Sequence, residues 1–174
     1  EFSRAVSLGV FDYLRKSSGR GFVISLSGGI DSGVCAALVA HMVGEAQRQL
    51  GYQGLRELLP KVYGSEAKAP KATSDLVAKI LITLYQGTEQ SSSATRKAAS
   101  QLAKELGARH FDTDVQDLVN LYEAKFEELI SRQLSWQKDD LLKQNIQARA
   151  RVPLSWMFAN NFEMLLINTS NRSE

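Results

Sequence analysis

The chain has 174 residues, of which 44% are hydrophobic and 23% are charged, as is ordinary for a globular domain with a substantial core. Its formal net charge is only +2, so nothing in the charge demands nucleic acid or an anionic membrane as a partner. No stretch approaches the roughly 20 apolar residues of a membrane span, and a single cysteine, Cys35, fits a reducing compartment such as the cytoplasm.

The first part of the chain predicts a helix, a buried strand and a second helix. Apolar residues at helical spacing predict a helix over Phe2–Lys16. The run Phe22–Leu26 predicts a buried strand, which leads through S-G-G-I-D-S into a helix from about Ser32 to about Leu50. Residues 51–71 contain three glycines and two prolines, which favours an irregular insertion.

The rest of the chain alternates in the same way. It predicts a strand within 75–86, a capped helix over 94–106, a strand over 108–113, helices over 115–134 and 139–161, and a strand over 162–168. Pro153 should kink the last helix near Arg149, because proline crowds the carbonyl four residues before it. This order predicts an α/β layered domain with a mostly parallel sheet flanked by helices. Both ends look cut, so we expect 1–174 to be one domain of a larger polypeptide.

The segment Ser27–Ser32 carries the strongest chemical signal. Glycines that follow a buried strand allow a tight turn, and the amide groups at the next helix start can bind a phosphate. The segment lacks the G-K-[ST] of a P-loop and the G-x-G-x-x-G of a dinucleotide fingerprint. Asp31 would repel a phosphate unless it holds Mg²⁺ that bridges to the phosphate oxygens. The alternative is a simple turn in which Asp31 or Ser32 only caps the helix.

Three segments carry a family resemblance. S-G-G-I-D-S after a buried strand resembles the pyrophosphatase loop of the N-type ATP pyrophosphatases, which cleave ATP to AMP and pyrophosphate. N-I-Q-A-R-A-R at 145–151 and L-L-I-N-T-S-N-R-S-E at 165–174 resemble the synthetase domain of NAD synthetases, especially the glutamine-dependent type. The resemblance implies a fold of the adenine nucleotide alpha hydrolase-like type.

The resemblance also implies roles for particular residues. Those that would bind ATP are Ser27, Gly28, Gly29, Ile30, Asp31, Ser32 and Thr169, with Ser27, Asp31 and Ser32 as catalytic groups. Those that would bind deamido-NAD are Asn145, Arg149 and Glu174, and those that would hold Mg²⁺ are Asp31 and Glu174.

The implied reaction is the ATP-dependent amidation of deamido-NAD to NAD through an acyl-adenylate, with ammonia from glutamine through an upstream glutaminase domain. The family also implies a homo-oligomer, for which Leu154, Met157 and Phe158 could form a dimer face. Two alternatives stay open. One is another ATP pyrophosphatase, with xanthosine monophosphate or a tRNA base as acceptor. The other is a noncatalytic module that binds ATP as a signal.

Overall fold

A computed structural model describes residues 1–65, 68, 70 and 72–169 as alternating helices and strands. The helices are α1 (Phe2–Ser17), α2 (Ile30–Leu58), α3 (Pro60–Tyr63), α4 (Thr73–Ile80), α5 (Ser93–Leu106), α6 (Gln116–Ile130), α7 (Trp136–Ala150) and α8 (Val152–Asn161). The strands are β1 (Phe22–Ser25), β2 (Leu81–Gly87), β3 (Arg109–Asp114) and β4 (Leu165–Ile167). None of the helices in these ranges is long and apolar enough to cross a membrane.

The four strands form one sheet in the order β3-β2-β1-β4, and every pairing is parallel. The predicted α/β domain with a parallel sheet flanked by helices is therefore confirmed. Ser25 lies opposite Leu84, and Ile24 lies opposite Ile167. Because parallel strands share a direction, the segments that leave β1, β2 and β4 all emerge at the same edge of the sheet.

Both faces of the sheet are covered, which explains why β1 and β2 are nearly continuous apolar runs. On one face, residues such as Phe22, Ile24 and Leu81 pack in the main core beneath α1, α2, α4 and α5. On the other face, a smaller cluster packs beneath α8. Phe158 is partly buried against this cluster, and its ring centroid lies 4.8 Å from that of Phe111. Its place on a dimer face stays a prediction. Met157, by contrast, is 63% exposed.

The prediction of irregular structure for 51–71 is wrong for most of that segment. Helix α2 continues to Leu58 across Gly51, whose φ of 65° interrupts the helical backbone, and α3 follows at once. Three apolar side chains spaced four residues apart, Leu55, Leu59 and Tyr63, are buried in the main core. This helical spacing outweighs the glycines and the proline, which sits at the start of α3 where it costs no hydrogen bond.

Two further boundaries differ from the sequence predictions. Lys79 and Ile80, which were expected in the second strand, end helix α4 instead, because a short apolar run does not distinguish a helix from a strand. The expected long helix over 139–161 is two helices, α7 and α8, which meet at Arg151 rather than at Arg149. The last strand starts at Leu165, since Glu163 adopts a left-handed turn conformation before it.

Candidate functional site

The segment Ser27–Ser32 forms a turn closed by its own hydroxyl groups. The Ser27 amide donates to Ser32 Oγ (3.2 Å), and the two hydroxyl oxygens lie 3.1 Å apart. The Gly29 amide donates to Ser27 Oγ (3.2 Å), and Ser32 Oγ donates to the Gly29 carbonyl (3.3 Å). Ser32 is 2% exposed. These bonds hold the turn in one shape before a ligand arrives, so both serines have a positioning role.

Gly28 is the point at which the turn requires glycine. Its φ is +83°, in the left-handed region that side chains disfavour. A Cβ atom built there would lie 2.3 Å from the carbonyl oxygen of Thr95. Thr95 belongs to the first turn of α5, so the turn lies directly against the start of a second helix. No side chain fits between them.

Helix α2 begins immediately after the turn. The Gly33 amide donates to the Gly29 carbonyl (3.2 Å), so the amides of Ile30, Asp31 and Ser32 precede the helical hydrogen-bond ladder. These amides and the positive end of the helix dipole favour an anion at this position. Ile30 is 83% exposed at the rim of the turn.

Asp31 is exposed in the first turn of α2, beside the same amides. Within residues 1–65, 68, 70 and 72–169, no group of three or more acidic, histidine or cysteine side chains is arranged to hold a metal ion. One carboxylate together with phosphate oxygens and water is nevertheless a common way to bind Mg²⁺. The donor at Asp31 therefore fits a metal held jointly with a phosphate ligand. Glu174, the second predicted metal ligand, lies outside the described residues.

A cavity of about 330 Å³ opens beside the turn, between the ends of β1 and β4 and the start of α8. Ser27 and Thr169 both line it, so the structure brings together two residues that are 142 positions apart in the sequence. Ser25, Asn168 and Arg151 lie in the same wall. The predicted association of Thr169 with the pyrophosphatase loop is thus consistent with the geometry.

Asn145 and Arg149 do not reach this cavity. Arg149 Nη1 donates to Asn145 Oδ1 (2.6 Å), and both residues line a second cavity of about 500 Å³ between α6 and α7. Tyr122, Phe126 and Glu123 form the opposite wall of this second cavity.

Helix α7 separates the two cavities. Ala148 and Arg151, three residues apart, face the first cavity, whereas the residues that line the second recur at spacings of three and four. The predicted site residues therefore form two groups on opposite sides of one helix.

Two polar residues near the first cavity were not predicted. Arg151 Nε donates to the Gln86 backbone carbonyl at the end of β2 (2.9 Å), and Gln86 Nε2 donates to Ser155 Oγ (3.1 Å). Arg151 belongs to the N-I-Q-A-R-A-R segment, but only its first arginine was assigned a role. Gln86 was assigned only to a buried strand. The sequence did contain a signal for Gln86, because a polar side chain at the second-last position of a buried strand indicates a site residue.

Cys35 lies one helical turn after Asp31 and does not resemble a nucleophile. Burial raises the pKa of its thiol, and the Asp31 carboxylate raises that pKa further. A thiol of this kind stays protonated and weakly reactive at neutral pH.

Comparisons with known proteins identify relatives of the chain. A model of the family described as NAD synthase matches residues 3–174. The glutamine-dependent NAD(+) synthetase of Oryza sativa subsp. indica is 33% identical over 173 residues, covering 92% of this chain and 23% of the relative. That of Saccharomyces cerevisiae is 34% identical over 159 residues, covering 86% and 22%. The chain thus spans about a quarter of the length of these relatives.

Solved structures give the same picture. The crystal structure of a glutamine-dependent NAD(+) synthetase from Cytophaga hutchinsonii is 41% identical, with a TM-score of 0.93 over 99% of this chain and 31% of that one. A glutamine-dependent NAD+ synthetase from Acinetobacter baumannii, solved with ADP, is 20% identical with a TM-score of 0.72, over 99% and 26%. The expected adenine nucleotide alpha hydrolase-like fold is confirmed.

Proposed function

The chain belongs to the NAD synthase family, and we propose that the protein containing it converts deamido-NAD to NAD by ATP-dependent amidation. The observation that carries the proposal is the shared wall between two cavities. The Ser27–Ser32 turn, which we call the phosphate turn, opens into one of them through Ser27. Arg149, whose side chain is oriented by Asn145, lines the other. Such an arrangement suits a reaction that joins a nucleotide to a second, anionic substrate.

In this proposal the turn holds the phosphates of ATP. The amides of Ile30 and Asp31 and the helix dipole of α2 lie where the pyrophosphate departs, so they stabilise its growing negative charge. Ser27 and Ser32 keep the turn in shape. The Asp31 carboxylate is the described group that would hold Mg²⁺, whose positive charge would further neutralise the leaving pyrophosphate.

The acceptor carboxylate belongs to deamido-NAD, which would bind along the second cavity. Asn145 holds the Arg149 guanidinium through its side-chain oxygen, so that the remaining donors are oriented toward a phosphate or carboxylate. A nicotinate oxygen would attack the α-phosphorus of ATP, and the bond to pyrophosphate would break. Ammonia would then attack the acyl carbon of the adenylate, and AMP would leave with the oxygen that had attacked the phosphorus. The other carboxylate oxygen would remain as the amide carbonyl, and a proton would pass to solvent. Positioning supplies much of the rate enhancement in such a scheme.

The remaining features of the proposal concern the whole protein. Ammonia would come from glutamine through a glutaminase domain, as the names of the relatives suggest. The protein would act in the cytoplasm as a homo-oligomer. Exposed apolar side chains on α6 and α8, including Leu121, Leu129 and Met157, would supply its contact surface.

The test measures pyrophosphate release by the complete protein with ATP, Mg²⁺ and deamido-NAD. Asp31→Asn should lower kcat/KM by about a hundredfold or more, because the site loses a charge that holds the metal. Asp117→Asn is the matched control, since Asp117 is also exposed in the first turn of a helix but lies on α6. Release triggered by another acid or by a nucleobase, but not by deamido-NAD, would refute the proposal. So would ATP binding without any turnover, which is the behaviour of a sensor.

A further inference from the structure

Arg151 is a half-buried cation to which the proposed reaction gives no role. It lies at the junction of α7 and α8 and lines the cavity that contains Ser27 and Thr169. Burial lowers the pKa of its guanidinium, which nevertheless stays charged at neutral pH. No carboxylate in the described parts of the chain forms an ion pair with it.

Hydrogen bonds hold both the side chain and the backbone carbonyl of Arg151. Its Nε donates to the Gln86 carbonyl (2.9 Å), and its own carbonyl accepts a hydrogen bond from Ser155 Oγ (3.2 Å). Gln86 Nε2 donates in turn to Ser155 Oγ, which ties the two contacts together. Among the described residues, no acceptor contacts the terminal Nη atoms of Arg151. Tyr85 acts electrostatically on this guanidinium but carries no carboxylate. Because withdrawing a charge from water is costly, a fixed guanidinium that has no acidic partner in the described part of the chain indicates a site for an anion.

The position of Arg151 relative to the Ser27–Ser32 turn indicates which anion it binds. Ser27 lines the cavity beside Arg151, whereas Gly28, Gly29 and Ile30 do not. If the amides at the start of α2 bind the other phosphates of a nucleoside triphosphate, the phosphate nearest the nucleoside lies past Ser27, inside the cavity. Arg151 also directly follows the last residue of α7, the helix that separates the two cavities, next to the place where the acceptor must approach.

We propose that Arg151 binds the α-phosphate of ATP and keeps that contact in the acyl-adenylate and in AMP. This inference rests on the proposed function and adds a residue to its nucleotide site. A planar guanidinium can bind two phosphate oxygens at once, which fixes the phosphorus for in-line attack.

The experiment compares the binding of ATP, AMP, pyrophosphate and adenosine to the complete protein by titration calorimetry. In Arg151→Gln, the affinities for AMP and ATP should fall about 10- to 100-fold, as expected for the loss of a charged hydrogen-bond pair. Pyrophosphate and adenosine should bind within about threefold of wild type, since neither carries an α-phosphate. Arg15→Gln makes the same charge change on an exposed face of α1, where Arg15 pairs with Asp12. This control should leave the affinities for all four ligands unchanged.

Arg151→Lys covers the case in which the glutamine variant does not fold. It keeps the charge but loses the bidentate geometry, so AMP should bind more weakly than to wild type while the thermal unfolding temperature stays close to normal. Unchanged AMP affinity in a folded variant overturns the inference. An equal loss of adenosine affinity also overturns it, since Arg151 would then only shape the cavity. Both results leave the proposed function standing if Asp31→Asn still lowers kcat/KM by about a hundredfold or more, whereas a wild-type protein that binds no ATP refutes the function itself.

Discussion

Gly28→Ala tests how tightly the phosphate turn is built against helix α5. The added methyl group would lie 2.3 Å from the Thr95 carbonyl oxygen and 2.9 Å from its carbon, so backbone must move on one side. A side chain at a φ of +83° costs about 1–3 kcal/mol by itself. The forced contact adds about 1–3 kcal/mol, as overpacking does elsewhere. We expect a total loss of about 2–6 kcal/mol, which lowers the unfolding temperature by roughly 5–20 °C in a domain of this size.

Differential scanning calorimetry of the complete protein measures its unfolding temperature. Titration with ATP measures whether the altered turn still binds the nucleotide with the same affinity. Gly44→Ala is the matched control, because Gly44 lies inside α2 with nothing within 4 Å of the added carbon. That change should be neutral or stabilise by about 0.5–1 kcal/mol, since alanine favours a helix over glycine. The reasoning fails if Gly28→Ala unfolds within 2 °C of wild type and binds ATP with unchanged affinity.

Three further predictions concern single side chains. Hydrogen bonds from Arg132 (2.7 and 2.9 Å) and from a backbone amide lower the pKa of Asp139 below the usual 3.8. Its stabilisation is therefore fully present above about pH 4 and declines as the pH falls toward the lowered pKa. Calorimetry should show Asp139→Asn as destabilising at pH 7 and progressively less so as the pH falls below about 4. Tyr63→Phe should cost about 1–2 kcal/mol in denaturant unfolding, because the buried hydroxyl donates to a carbonyl of α4 (3.1 Å); an unchanged midpoint would contradict this. Cys35 should react with iodoacetamide at pH 8 more slowly than glutathione does, and faster in Asp31→Asn, because the aspartate raises the thiol pKa; equal rates in both proteins would count against that cause.

The parts of the fold that were predictable from sequence are those in which local signals agree. The run Phe22–Leu26 is apolar apart from Ser25, and glycines lie close to both of its ends, so the strand and its turn followed directly. Ser92, which caps α5 by accepting from the Thr95 amide (3.1 Å), and Gly107, in the left-handed conformation after α5, mark that helix equally well. The segment after Leu50 was misread because glycine and proline were given more weight than the four-residue spacing of its buried side chains.

The candidate site was only partly predictable, because the rotation of α7 about its axis decides which residues face which cavity. Arg149 and Arg151 differ by two positions, and this places them on different sides of the helix. Resemblance to a known motif indicated the segment but not the direction of each side chain. Gln86 becomes part of the site only through the parallel register, which brings the end of β2 beside α8.

The topology has a consequence for the order in which the domain folds. The central strand β1 pairs on one side with β4, and the neighbouring contact between Arg20 and Glu163 (3.0 Å) spans 143 residues. Pairing across so long a loop carries a large entropic cost, so it belongs to the late events of folding. A chain still being synthesised can thus possess the phosphate turn but not the cavity beside it. In the proposed function, nucleotide would bind only after β4 has docked, and its binding energy would then oppose the release of that strand.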